Sequence, residues 1–188
     1  MTESKKHDSD QCPNRIPPSQ NQSSQSHKTF ASTHVLGEHE NLRQNDISTA
    51  QSGQRAARRL EIVQTFFIPG WVMERYPKTV DAILEGGHEI GHHSWAHEDP
   101  MEHSDEKEAE LFGRALDTHV RMTGRRPCGY RAPVYSLTPA IVNRLIEHDF
   151  LYDSSMMADD LPYEVVTSKG SIIEIPPHWG TDDWWTKE

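Results

Sequence analysis

An α/β domain built on a parallel sheet is the fold class the sequence predicts. Three observations point to it. From Thr65 onward, short strand-like runs alternate with helix-like stretches, the signature of βα units. The polar residues with chemical potential sit on or after those runs, His92-His93 after one, Arg131 on another, Asp153 after a third. In α/β folds the site lies at the carboxyl ends of the strands. The change of character near Ala56 leaves the fold to the residues that follow it.

Residues 1–55 are rich in Ser, Gln, Asn, Pro and His, and their apolar residues are isolated. Such a segment buries too little apolar surface to offset its ordering entropy. It is expected to be a disordered polar tail, with the domain over 56–188. Ala56 to Gln64 suits a short helix. Thr65-Phe-Phe-Ile68 reads as a buried strand, stopped by Pro69-Gly70. Pro77 to Leu84 reads as a helix: Pro77 fits its first turn, Val80, Ile83 and Leu84 share a face, and Gly86-Gly87 stop it. Glu89 to His92 is a short strand. Ser104 caps the next helix, with Asp105 and Glu106 favourable at its positive end. Its apolar face runs Ala109, Phe112, Leu116, Val120, and Gly124 ends it. Gly129-Tyr-Arg131 is a strand. Thr138-Pro139 opens a helix bearing Ile141, Val142, Leu145 and Ile146. Leu151-Tyr152 and Ser171 to Ile175 are the last strand candidates.

The 188 residues suffice for one domain. The formal net charge is −10. Residues 1–56 hold six basic and six acidic side chains, so the imbalance sits entirely in the second part. An acidic body repels phosphate backbones, which argues against a nucleic-acid partner. No stretch approaches the roughly 18 apolar residues of a membrane span, so no membrane partner is expected. The opening Met-Thr-Glu-Ser-Lys-Lys lacks the apolar run of a secretory signal. A cytoplasmic location is the expectation. Cys12 and Cys128 lie in segments of different character and suggest neither a disulfide framework nor a Cys-type zinc site.

Twelve histidines are present, four of them at 88, 92, 93 and 97. In a His-rich chain, pairs four apart also arise by chance. Geometry separates the two pairs. Zinc needs each imidazole nitrogen within about 2.0–2.1 Å. On an extended strand, i and i+4 stand roughly 13 Å apart, too far to share an ion. A curled backbone brings them to one face. His88/His92 lies in the expected strand, so these two are read as packing or hydrogen-bonding residues. His93/His97 passes through Ser-Trp-Ala, which tolerates a turn, and is the better metal pair. A catalytic zinc site also wants a third protein ligand and a general base.

Four segments taken together, Thr65-Phe-Phe-Ile-Pro-Gly70, Gly87-His-Glu-Ile-Gly-His-His-Ser-Trp-Ala-His97, Gly129-Tyr-Arg-Ala-Pro133 and Tyr152-Asp-Ser-Ser155, resemble the polysaccharide deacetylase family. This is the NodB-homology domain of carbohydrate esterase family 4. The resemblance runs from about Thr65 to Trp184. It implies a distorted (β/α) barrel and hydrolysis of non-peptide amide bonds, with a divalent metal, zinc by expectation, as cofactor. It implies His93 and His97 as metal ligands and Arg131 as the arginine that orients the catalytic carboxylate. It implies a backbone N–H after Pro133 for the oxyanion, where Val134 replaces the usual Tyr, and places Asp153 in a motif lining the groove. Arg131 and Asp153 are thereby the catalytic candidates; a structural salt bridge and a turn or cap are their plain alternatives. Pro133, Val134 and Trp95 are the substrate-side candidates. The other tryptophans, Trp71, Trp179, Trp184 and Trp185, are read as core or groove wall. The extensions Trp95 to Pro100 and Glu174 to Trp184 resemble the branch with allantoinase-like, cyclic imide hydrolase-like and peptidoglycan-deacetylase-like members. The expected partner is a carbohydrate or small cyclic amide.

The resemblance also implies a first strand ending in an Asp pair, which supplies the general base and a metal ligand. Nothing before Thr65 matches it, and Asp46 has no apolar strand before it. The late motif with a general-acid histidine would fall after Glu188; His178, in Pro-Pro-His-Trp, does not suit it. The expectation is therefore a partial barrel lacking its first strand or strands and its C-terminal part, with weak metal affinity and little turnover. An incomplete gene product, a non-catalytic relative and a metal-buffering His-rich protein are the alternatives.

Overall fold

The computed structural model describes residues 62–178. The polar tail, the start of the Ala56–Gln64 helix and the tryptophans at 179, 184 and 185 lie outside that range; residues 62–64 are not helical.

One six-stranded sheet organises the domain. Its strands are β1 (Thr65–Ile68), β2 (Glu89–His92), β3 (Gly129–Tyr130), β4 (Tyr152–Asp153), β5 (Tyr163–Thr167) and β6 (Gly170–Glu174), in the spatial order β1-β2-β3-β4-β6-β5. Neighbours are parallel except for the β5–β6 hairpin, which is antiparallel. β5 was not expected from the sequence.

Among the described residues, four α-helices connect the strands: α1 (Gly70–Arg75), α2 (Pro77–Glu85), α3 (Asp105–Thr123) and α4 (Pro139–Glu147). Their ends follow local chemistry. Ser104 accepts from the Lys107 N–H, and Thr138 from the Ile141 N–H, each satisfying an orphan donor of the first turn. Gly124 ends α3 at φ 74°, a left-handed conformation that glycine adopts without a Cβ penalty. Pro69-Gly70 stops β1, as expected, and α1, which the sequence did not suggest, begins there. Its first N–H groups bond outward, Gly70 to the Ser94 carbonyl at 3.0 Å and Trp71 to the Trp95 carbonyl at 2.8 Å. Val120 is exposed, contrary to expectation, and the buried face of α3 includes Glu108 and His119 instead. Both polar residues have partners. Glu108 pairs with Arg144 of α4, and the His119 Nε2 meets the Ile90 carbonyl at 2.9 Å.

The helices pack on one face of the sheet. Phe66, Ile68 and Ile90 meet Val72, Met73, Val80 and Ile83 of α1 and α2. Tyr130 and Ile172 meet Phe112 of α3 and Ile141 and Leu145 of α4. Strand side chains alternate between faces, so Phe67, Gly91, Gly129, Arg131 and Tyr152 belong to the other. Arg131 stacks over the Phe67 ring at 4.5 Å, and Phe67 meets Tyr152 edge to face. Helices on one side only is the layering of a (β/α) barrel rather than of a doubly wound sheet.

Candidate functional site

The chain leaves β2 at His92 and turns sharply over residues 94–96. Ser94 (φ 56°) and His97 (φ 64°) both take left-handed backbone. This curl is what an i, i+4 histidine pair needs. The two rings end with centroids 4.9 Å apart, inclined at 70°. Left-handed backbone costs a non-glycine residue roughly 1 kcal/mol or more, so the turn needs support. Glu98 gives it. Its carboxylate accepts from the Ser94 hydroxyl, the Trp95 N–H at 3.1 Å and the Ala96 N–H at 2.6 Å. The α1 N–H groups hold the turn from the other side. Glu98 was not expected from the sequence to take part. The available signal was a carboxylate just beyond a tight turn, where successive N–H groups converge.

His93 is buried, and its Nδ1 lies 2.7 Å from the Arg131 carbonyl oxygen. A carbonyl only accepts, so Nδ1 carries the proton and Nε2 keeps its lone pair. That Nε2 is buried with no hydrogen-bond partner. Burial, with neighbouring His97, holds His93 well below the usual imidazole range and therefore neutral. His92 is a packing residue, as expected. It lies among Phe112, Tyr130 and Phe150, its Nε2 donates to the Phe112 carbonyl, and burial pushes it down to about 3. His88 packs on Phe66. Among the described residues, no group of three or more His, Cys, Asp or Glu side chains converges on one point.

Arg131 is fully buried on the face opposite the helices. Its Nε donates to the Ser154 carbonyl at 2.7 Å and an Nη to the Ser154 hydroxyl at 2.6 Å. The chain then turns through Pro133–Tyr135. Pro133 is buried; Val134 (φ 47°) and Tyr135 (φ 59°) are left-handed. For β-branched Val134 that conformation is an outlier, and its side chain is about half exposed. Of five non-glycine residues with positive φ among those described, four lie in these two turns. Strain of this kind gathers at functional sites.

Trp95 was expected to face substrate. It is instead buried, 6% exposed, with the Arg114 guanidinium 3.6 Å above its ring and Gly70 beneath its edge. The indole packs the turn onto α1 and α3. Trp71 is 40% exposed. Asp153 is not brought to the histidine pair. It points with its register partners Tyr130 and Glu174 to the helix-covered face, where Asp153 and Glu174 are both fully buried. Burial pushes both carboxyls up, and neighbouring Asp153 pushes Glu174 further, to about 9. The Asp153 Oδ2 and the Glu174 Oε2 lack other partners. One proton shared between them satisfies both.

A one-sided β/α layer with a histidine turn and an arginine at its strand ends defines the class: a barrel-type domain whose site is built on βα loops. Within that class, the chain belongs to the polysaccharide deacetylase family, whose model matches residues 54–152. The chain is similar to a peptidoglycan deacetylase-like protein of Gibberella zeae, 31% identical over 143 residues, covering 63% of this chain and 42% of that one. It is similar to a peptidoglycan deacetylase of Helicobacter pylori, 26% identical over 150 residues, covering 67% and 51%. The chain thus spans about half the length of these curated relatives. Among solved structures, one assigned to the polysaccharide deacetylases from Mycobacterium smegmatis matches with a TM-score of 0.70 at 29% identity, covering 90% of this chain and 66% of that one. Puue allantoinase matches with a TM-score of 0.64 at 25% identity, covering 73% and 45%.

Proposed function

We propose that this chain carries the histidine half of a metal-dependent site that hydrolyses non-peptide amide bonds. One observation carries the reading. The His93 Nδ1 is committed to the Arg131 carbonyl, and its Nε2 lone pair is buried without a partner beside the His97 ring. A buried acceptor with no donor is costly, and a cation that takes imidazole nitrogen removes the cost. The donor set suits a divalent ion such as zinc, held by His93 and His97. Such an ion supplies Lewis-acid polarisation of an amide carbonyl. The chain's own residues would do the rest. Arg131 would offer a fixed positive charge against a carboxylate, and the strained Pro133–Tyr135 turn would offer the Val134 N–H to a developing oxyanion, since Pro133 has none and the Tyr135 N–H is bonded to the Ala132 carbonyl.

The proposed substrate is a small cyclic amide rather than a sugar polymer, because Trp95 presents no open ring face for a sugar to stack on. Turnover by this chain is proposed to be low. Among the described residues, no carboxylate joins the histidine pair as third ligand or base. The test loads the 188-residue chain with zinc and offers cyclic imides, ureides and N-acetylglucosamine oligomers. Slow, zinc-dependent opening of a cyclic amide is expected. Activity on the sugar oligomers alone would move the substrate to carbohydrate. Zinc binding without turnover of either class would favour a non-catalytic metal-binding relative.

A further inference from the structure

The buried carboxylate pair lies outside the site just described, yet hydrogen bonds lead from it to His93. The His93 Nδ1–H donates to the Arg131 carbonyl at 2.7 Å. The same peptide unit's N–H, on Ala132, donates to the Ser155 hydroxyl oxygen at 2.9 Å. The Ser155 hydroxyl donates to the Asp153 Oδ1 at 2.7 Å. The other Asp153 oxygen is turned toward Glu174, whose Oε1 accepts from the Met156 N–H at 3.1 Å. From His93 to Asp153 each donor faces one acceptor, and over that stretch the direction does not reverse. Side chains of His93, Ser155, Asp153 and Glu174 are all 2% exposed or less, so water cannot stand in for a missing link.

We infer that Asp153 is a positioning residue: acting through Ser155 and the Arg131–Ala132 peptide, it orients His93 and strengthens its Nε2 as a metal ligand. The inference rests on the proposed reading of His93 as a ligand. The physical ground is polarisation. A carboxylate drawing on the Ser155 hydroxyl makes that oxygen a better acceptor for the Ala132 N–H. The peptide's carbonyl then holds more negative charge, and the imidazole that donates to it becomes more basic at its other nitrogen. A histidine ligand backed by a carbonyl or carboxylate is a general device of metal sites. Here the carboxylate stands two bonds further back and is reached through a peptide unit. Sequence order supports the arrangement. Ser154 and Ser155 follow Asp153 directly. Ser154 takes the Arg131 side chain, and Ser155 takes the peptide that follows Arg131.

The experiment uses the full chain, metal-free, with zinc titrated calorimetrically and His93 tautomers read from imidazole 15N shifts. Wild type should hold His93 as the Nδ1–H tautomer. Ser155→Ala should lower zinc affinity about 10- to 100-fold, the usual effect of losing a ligand's hydrogen-bonded support, and mix the tautomers. Ser155→Thr, which keeps the hydroxyl, should restore both. Asp153→Asn keeps an acceptor for Ser155 but removes the charge, and should lose affinity while the fold persists; it also serves if Ser155→Ala fails to fold. Wild-type affinity and tautomer in both Ser155→Ala and Asp153→Asn would overturn the inference. So would an affinity loss that Ser155→Thr fails to restore, which would mark a packing role. His93→Ala is the control for the underlying reading: if it leaves zinc affinity unchanged, His93 is no ligand and that reading fails instead.

Discussion

At the scale of single residues, the site depends on groups that hold the histidines more than on the histidines themselves. His93 and His97 could be proposed from the sequence because both their type and their spacing are local properties of it. Geometry then removed the competing pair: His88 and His92 sit on or beside extended backbone and pack against aromatic rings. Glu98 was not legible in the same way. Its role depends on three donors that converge only once Ser94 has turned left-handed. Glu98→Gln keeps the size of the side chain but replaces one acceptor oxygen with an amide NH2, which faces an N–H donor. The amide oxygen keeps the Ser94 and Trp95 donors, the exposed Ala96 N–H is left facing the NH2, and the charge-assisted character of the bonds is lost. The expected cost is about 1.5–3 kcal/mol, read as a lower urea midpoint with an unchanged m-value. A midpoint equal to wild type would show that α1 alone holds the turn.

At the scale of elements, what was legible followed from how local the determinants are. Helices α2, α3 and α4 were readable because their caps and stops, Pro77, Ser104, Gly124 and Thr138, act within one turn of chain. Helix α1 was missed because Pro69-Gly70 is equally a stop and a start, and its N–H partners lie more than twenty residues away. Strand β5 was missed because its side chains alternate between half-buried and exposed, which leaves little apolar contrast to read. Asp153 was assigned to the groove by resemblance, and the pleat turns it to the opposite face. The strand face that carries Arg131 makes its own prediction. A Cβ on Gly129 would lie 2.1 Å from the Tyr152 ring, and one on Gly91 would lie 2.6 Å from the Phe67 ring. Tyr152 cannot swing aside cheaply, because its hydroxyl donates to Glu89 at 2.9 Å. Gly129→Ala should therefore cost about 1–3 kcal/mol through overpacking. Thermal unfolding would measure it, and an unchanged midpoint would mean the ring is not held where it stands.

At the scale of the whole molecule, buried titratable groups set how stability depends on pH, and two of them act in opposite directions. His119 is buried in α3, its Nε2–H donating to the Ile90 carbonyl and its Nδ1 beside the Thr123 hydroxyl, and burial holds it below its ordinary 6.5. Its neutral form suits the fold, so its contribution is present above 6.5 and is lost as pH falls below it. Glu174 is the reverse. Burial beside Asp153 pushes it up to about 9 from an ordinary 4.5. Its protonated form suits the fold, so its contribution is complete below 4.5 and is lost as pH rises to about 9. Between 4.5 and 6.5 the depressed histidines His92, His93 and His119 together outweigh Glu174, so stability should rise with pH there. Above 6.5 the histidine contributions are constant and Glu174 acts alone. There the unfolded chain binds fewer protons than the folded one, so stability falls with rising pH, by at most about 1.4 kcal/mol per pH unit for one proton. Glu174→Gln removes that proton from the balance and gives Asp153 a permanent amide donor. Urea unfolding from pH 6.5 to 9 should show the wild type losing stability steadily while the variant stays level, the two curves separating as pH rises. Parallel curves would mean that Glu174 is ionised throughout, and that Asp153 holds its negative charge without a shared proton.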